Sequence, residues 1–144
     1  MEKYLNLIRA NADVSPFSRF PMAACIVCKG EVISCETNHI KTHPMQAKYA
    51  SKPERIHLHA EIATLVRARW PREDNVSGGH MYVGRLLKNG SWGSSKPCKG
   101  CFAAILHSGI SQITFFEDNL YIGEWVTYNL RTPELGVVRK YVSN

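Results

Sequence analysis

Two short stretches, far apart in the chain, restrict its fold more than anything else in it. They are His59-Ala60-Glu61 and Pro97-Cys98-Lys99-Gly100-Cys101. Cysteines separated by two residues can both reach one Zn²⁺, about 2.3 Å from each sulfur. A third ligand from His59 would leave the fourth tetrahedral position open to water, as a catalytic zinc requires. Such a site exists only in a fold that brings residue 59 against residues 98 and 101. It would also give Glu61 a use, because a carboxylate beside the activated water can take its proton and pass it to a leaving group. Without those partners Glu61 reads as a first-turn carboxylate favoured by the helix dipole.

Other metal sets fit less well. Cys25-Ile26-Val27-Cys28 is also a C-x-x-C, and four cysteines could hold a structural zinc. That stretch reads as a strand, however, where residues three apart point to opposite faces. Cys25, Cys28 and Cys35 therefore read as core thiols. His57-Leu58-His59 suggests a metalloprotease of the H-x-H type, but no aspartate follows within 60–73. His39, His43 and His57 read as polar loop residues.

A length of 144 residues is most simply one domain, and 44% hydrophobic with 21% charged residues describes a globular chain. There is no apolar run of about eighteen residues to cross a membrane. The first residues, MEKYLNLIRANAD, carry charge where a signal peptide needs an apolar core. Five cysteines, an odd count, argue for thiols or metal ligands over a disulfide framework. The expected location is cytoplasmic, with no membrane partner. A net charge of +6, from 18 basic and 12 acidic residues, suits an anionic partner such as a nucleotide or nucleic acid.

Along the chain, Tyr4, Leu5, Ile8 and Ala12 space a short amphipathic helix over 2–12. Strands are expected at 23–28 and 31–37, joined by a turn at Lys29-Gly30. Residues 38–58 show no clear period and read as a long connection. A helix follows from about His59 and stops at Pro71. A third strand is expected at 80–87, a loop over KNGSWGSSK, a helix at 101–107 closed by Gly109, and a fourth strand at 111–116. Residues 119–130 read as a helix, and 135–142 as a last short strand. Strand pairs with interleaved helices indicate one α/β sheet covered on both faces.

The order H-x-E followed by P-C-x-x-C is the signature of zinc deaminases, and the chain resembles the cytidine deaminase-like superfamily beyond that motif. PFSRFPMAA (16–24) is similar to a segment of free cytidine deaminases. His59-Ala60-Glu61, PCKGC and AAILHSGISQITFF (103–116) resemble deoxycytidylate and tRNA-adenosine deaminases, and THPMQAKYA (42–50) resembles small deaminase-like proteins of phages. The resemblance implies a three-layer α/β/α sandwich around a five-stranded mixed sheet. It implies Zn²⁺ held by His59, Cys98 and Cys101, with Glu61 as proton shuttle. Asn38, the backbone N–H of Ala60, and Phe20 are the substrate contacts it suggests. The implied reaction is hydrolytic release of ammonia from C4 of a cytosine nucleoside or nucleotide, in a homo-oligomer by analogy with small family members. Lys41, Lys48, Lys52 and Arg55, in the segment leading to His59, could hold a phosphate.

Other functions remain open at this point. An adenine- or guanine-type base, or a polynucleotide, could be the substrate. A non-catalytic nucleic-acid-binding module could keep the zinc for structure and use Trp70, Trp92 and Phe116 as stacking platforms. Packing in the core or an interface also accounts for those aromatics.

Overall fold

The structure, a computed structural model, describes residues 1–16, 19–50, 57–118 and 123–131, together with the backbone of 137–142. Helix α1 (Glu2–Asp13) turns Leu5, Ile8 and Ala12 inward, as their spacing predicts. Strands β1 (Met22–Cys28) and β2 (Glu31–Thr37) form a hairpin. Its turn residues Lys29 and Gly30 both have positive φ, 51° and 79°, matching the right-handed twist of a two-residue turn. Helices α2 (Pro44–Tyr49) and α3 (Ala60–Arg67) come next, then β3 (His80–Leu86) and the two-residue β4 (Trp92–Gly93). Helix α4 (Lys99–His107) ends at Gly109, whose φ of 83° suits the position after a helix C-cap. Strands β5 (Gln112–Asp118), β6 (Gly123–Asn129) and β7 (Val137–Val142) complete the order.

One seven-stranded sheet results, in the order β2-β1-β3-β5-β6-β7 with β4 paired to β3. Only β3 and β5 among its neighbours run parallel, and α4 makes the crossover between them. Side chains alternate between two cores. On one face Ala24, Ile26, Met81, Val83, Ile113 and Phe115 pack under α3 and α4. On the other, Cys25, Tyr82, Trp92, Phe116 and Trp125 pack under α1. The expected α/β/α layering is present, and the sheet is wider than the five strands expected.

The extra strands account for the difference. Residues 123–129 form β6, not the expected helix. Trp125, Val126, Thr127 and Tyr128 are β-branched or aromatic, and pairing with β5 and β7 on both sides satisfies their backbone. In the loop expected over KNGSWGSSK, Trp92 and Gly93 pair with Leu86 and Arg85 as β4. The long connection also contains α2, started by Pro44 and by His43, whose Nδ1 accepts from the N–H of Met45 at 3.0 Å. Six residues are too few to show a helical period. Trp92 and Phe116 are buried in the α1-side core, which removes two of the three suggested stacking platforms. No helix among the described residues is long and apolar enough to cross a membrane.

On the α1 side a polar line crosses three strands. The Nε2 of His80 lies 2.6 Å from Thr114 Oγ1, itself 2.6 Å from Thr127 Oγ1. Burial holds the imidazole pKa down to about 4, from an ordinary value of 6.5. Between those values the unfolded chain binds the extra proton, so His80 contributes stability that is lost as pH falls from 6.5 towards 4. The melting temperature of the wild type is expected to drop faster over that window than that of His80→Gln. Parallel melting curves would refute a neutral His80.

Candidate active site

His59 is the N-cap of α3 and Cys98 the N-cap of α4, both with extended backbone, and Cys101 lies in the first turn of α4. The two helix starts meet on the α3/α4 face of the sheet. His59 Nδ1 lies 3.2 Å from Cys101 Sγ and 3.6 Å from Cys98 Sγ, and all three donor atoms fall within 4.8 Å of one another. Tetrahedral zinc with ordinary Zn–N and Zn–S bonds separates such donors by roughly 3.6 Å. One nitrogen and two sulfurs at this spacing fit Zn²⁺, and three protein ligands leave a position for a small molecule.

The electrostatics prepare the same site. Hydrogen bonds from Cys101 and His59 hold the Cys98 thiol down to about 4, making it a thiolate. The bond to Cys98, with burial, pushes Cys101 up, and the bond to Cys98 raises His59. The positive ends of two helices favour negative charge on the sulfurs. Glu61 is only 3% exposed, and burial raises its carboxyl to about 7 despite the nearby imidazole. A group poised near neutrality can both accept and return a proton.

A cavity of about 260 Å³ opens beside these residues, lined by Phe20, Met22, Asn38, His59, Glu61, Lys96 and Cys98. Asn38 and Phe20, the substrate contacts expected from the sequence, line this cavity. The Oδ1 of Asn38 accepts from Met22 N at 3.1 Å and Ser15 Oγ at 2.7 Å, and its Nδ2 donates to Phe20 O at 2.7 Å. One amide hydrogen remains for a ligand. Ala60 is fully buried at the start of α3, and its side chain does not line the cavity. Of the expected basic anchors, the two that are described lie elsewhere. Lys41 borders a different cavity with Pro16, His39, Ile40 and Leu58, and Lys48 stands over the ring of Tyr49. Lys52 and Arg55 lie outside the described residues.

Cys25 and Cys28 are also away from the site. Cys25 is buried opposite Cys35 in the β1–β2 ladder, and hydrogen bonding between the two raises Cys25 and lowers Cys35. Cys28 faces the other side, its sulfur 3.5 Å from Asn75 O.

Two supports of the site went unread in the sequence. Gln46 of α2, 2% exposed, takes the backbone N–H of His59 on its Oε1 at 3.0 Å and hydrogen-bonds the Cys101 thiol. Helix α2 is held down because Gly100 lacks a side chain, since a Cβ there would run into the carbonyl of Tyr49. Ser95 fixes the loop before Cys98: its N–H donates to Phe116 O, and its hydroxyl donates to Val83 O and accepts from Phe116 N. A buried glutamine in an aperiodic stretch carries no sequence signal that distinguishes it from a surface one.

Over residues 1–117 the chain matches the protein family described as the cytidine and deoxycytidylate deaminase zinc-binding region. It belongs to the cytidine and deoxycytidylate deaminase family, and Zn²⁺ is the cofactor its donor set fits. Among solved structures it is similar to the dCMP deaminase of the cyanophage S-TIM5 in apo form, at 20% identity over 78% of each chain, with a TM-score of 0.57. The same enzyme in complex with dCMP and dUMP gives 21% identity over 78% of this chain and 76% of that one, with a TM-score of 0.56. Identities this low establish a common fold. No curated protein sequence matches the chain.

The ligand assignment makes a prediction about metal content. Purified protein should carry about one zinc per chain, as a single three-ligand site requires. Cys98→Ser and Cys101→Ser should lose it, and Cys25→Ser and Cys28→Ser should keep it. Gln46→Leu should weaken zinc binding by about 10–100-fold in a chelator competition, the usual effect of removing an outer hydrogen-bond partner. Equal zinc loss from the Cys25 and Cys28 variants would refute the assignment.

Proposed function

We propose that this chain is a zinc-dependent hydrolytic deaminase that releases ammonia from a cytosine-type nucleoside or nucleotide. The observation that carries this reading is the placement of Glu61. It is buried, held near neutrality, beside the His59–Cys98–Cys101 set and on the wall of an open cavity. A zinc held only for structure has no use for a buried carboxyl there. Burying one without a function costs stability.

Zinc bound by these three residues supplies Lewis acidity that lowers the pKa of a water. The work of the chain follows from its own groups. Glu61 takes a proton from the attacking water and delivers it to the exocyclic nitrogen at C4. Carbon–oxygen bond formation at C4, followed by loss of the C4–N bond, turns the amino group into ammonia and the ring into the uracil form. Asn38, with one free amide hydrogen, orients the base or sugar, and Phe20 covers it. The cytosine preference is supported by the S-TIM5 dCMP deaminase, whose complex holds dCMP and dUMP. The nucleic-acid module is the weaker reading, because Trp92 and Phe116 are spent on the core.

Glu61 is needed for proton transfer and not for holding the metal. Glu61→Ala and Glu61→Gln should keep zinc and fold while losing turnover by roughly 10²–10⁴-fold or more. His59→Ala should lose zinc together with activity. The measurements are zinc content, melting temperature and ammonia release, on a panel of aminated bases, nucleosides and nucleotides. Near-normal turnover by Glu61→Gln would refute the mechanism.

A further inference from the structure

Among the described residues Arg85 has no acidic or hydrogen-bonding partner. It is the last residue but one of β3, on the face that carries α3 and α4, where Met81 and Val83, of the same parity, belong to the core. Across the β1–β3 ladder it stands opposite Met22, which lines the cavity. Its Nε is fully enclosed and has no hydrogen-bond partner. Among the described residues no oxygen accepts from its guanidinium, which lies over the ring of Phe20, 4.7 Å from the centroid. The other described arginines differ. Arg9, Arg67 and Arg69 each donate to an oxygen, and Arg19, Arg72 and Arg131 are exposed to water.

Only the Nε is withdrawn from water; the side chain as a whole is half-buried, and the guanidinium, which stays charged in a protein, keeps its two terminal nitrogens open to an acceptor. The position of Arg85 indicates which acceptor. Phe20, on which it stacks, lines the catalytic cavity, and so does the exposed Lys96. Among the described residues, Glu61, in the wall beside the metal ligands, is the only acidic one lining that cavity. Stacking on an aromatic face leaves the N–H edge of a guanidinium free, in the fork geometry that matches two oxygens of a phosphate. Two cations near one cavity mouth also match the charge of a phosphate monoester.

We propose that Arg85 and Lys96 form an anion subsite that holds the 5′-phosphate of a nucleoside monophosphate while its base lies against Glu61. Phe20 keeps the guanidinium in place. The inference rests on the deaminase reading and narrows it from nucleoside or nucleotide to nucleotide. It also places the phosphate contact on the β3 end and the loop before Cys98, instead of the basic segment 41–55.

The test reads binding, so that it does not depend on turnover. Zinc-loaded protein is titrated calorimetrically with uridine and with uridine 5′-monophosphate, for the wild type, Arg85→Met and Lys96→Met. The wild type should bind the monophosphate about 10–100-fold more tightly than the nucleoside, the usual worth of one or two charge-assisted hydrogen bonds. Each variant should lose most of that ratio. Millimolar inorganic phosphate should raise the melting temperature of the wild type but not of Arg85→Met. In phosphate-free buffer Arg85→Met should melt no lower than the wild type, because it removes an unpaired charge and keeps the apolar stem. Equal affinity for nucleoside and monophosphate would overturn the subsite, as would a ratio unchanged in Arg85→Met. A large drop in melting temperature of Arg85→Met, with dissociation of an oligomer, would assign Arg85 to a carboxylate of a second copy instead. Failure of the Glu61 variants to lose turnover would remove the deaminase reading without altering these binding ratios.

Discussion

The meeting of two helix starts is the constraint on which the rest of the site depends. Neither α3 nor α4 carries a complete ligand set, and the chemistry exists only where the N-cap of one faces the first turn of the other. The parallel pairing of β3 and β5 makes this possible, since its crossover must return along the sheet and places α4 beside α3 on one face. Helix starts also leave N–H groups unpaired and present positive potential, so they suit thiolates and the charge that develops on a reacting oxygen. Cys98 shows the effect directly: its sulfur accepts from the N–H of Cys101 and from His59, and its thiol is acidic.

Glu61 is the converse. Two residues beyond His59, it turns into the core, where loss of water raises its pKa. The same helix start thus serves opposite purposes, favouring anions at its N-cap while its first turn carries a carboxyl that resists ionisation. Asp or Glu in a first turn is ordinarily a surface residue stabilised by the dipole. Here burial outweighs the dipole, and the difference lies in what packs around it: Ala60, Ile62 and Leu65 are all fully enclosed.

The metal set was legible in the sequence because each ligand belongs to a short local motif whose spacing matches a coordination geometry. The element order was legible through α4 and β5, where apolar periodicity is strong. Three elements were not: β6, α2 and the two-residue β4, which lies among turn formers. In β6 the run Gly123–Asn129 mixes Glu124, Thr127 and Asn129 with Trp125 and Val126, so that no clean alternation marks a strand. Pairing on both sides, a property of the sheet, fixes it as one. In α2 the decisive side chain is polar. Gln46 is buried because its amide has two partners, His59 and Cys101, that only the fold brings to it. Arg85 was invisible for the same reason, since only the β1–β3 register sets it opposite Met22.

These differences separate chemistry from selectivity within the site. The groups that would carry out proton transfer sit at helix starts, in motifs recoverable from spacing alone. The groups that would choose the substrate come from strand ends and from the loops that flank them: Phe20 and Asn38 beside β1 and β2, and Lys96 after β4. Ser95 ties that last loop to β3 and β5 through three hydrogen bonds, so the segment carrying Lys96 and Cys98 is fixed to the sheet. A residue there can change without moving the metal ligands, because Cys98 is also fixed by α4. The metal centre is anchored on helix starts, whereas the cavity rim is built from separate strand ends and loops. Arg85, opposite Met22 in the β1–β3 ladder, lies with those strand ends and not with the helix starts.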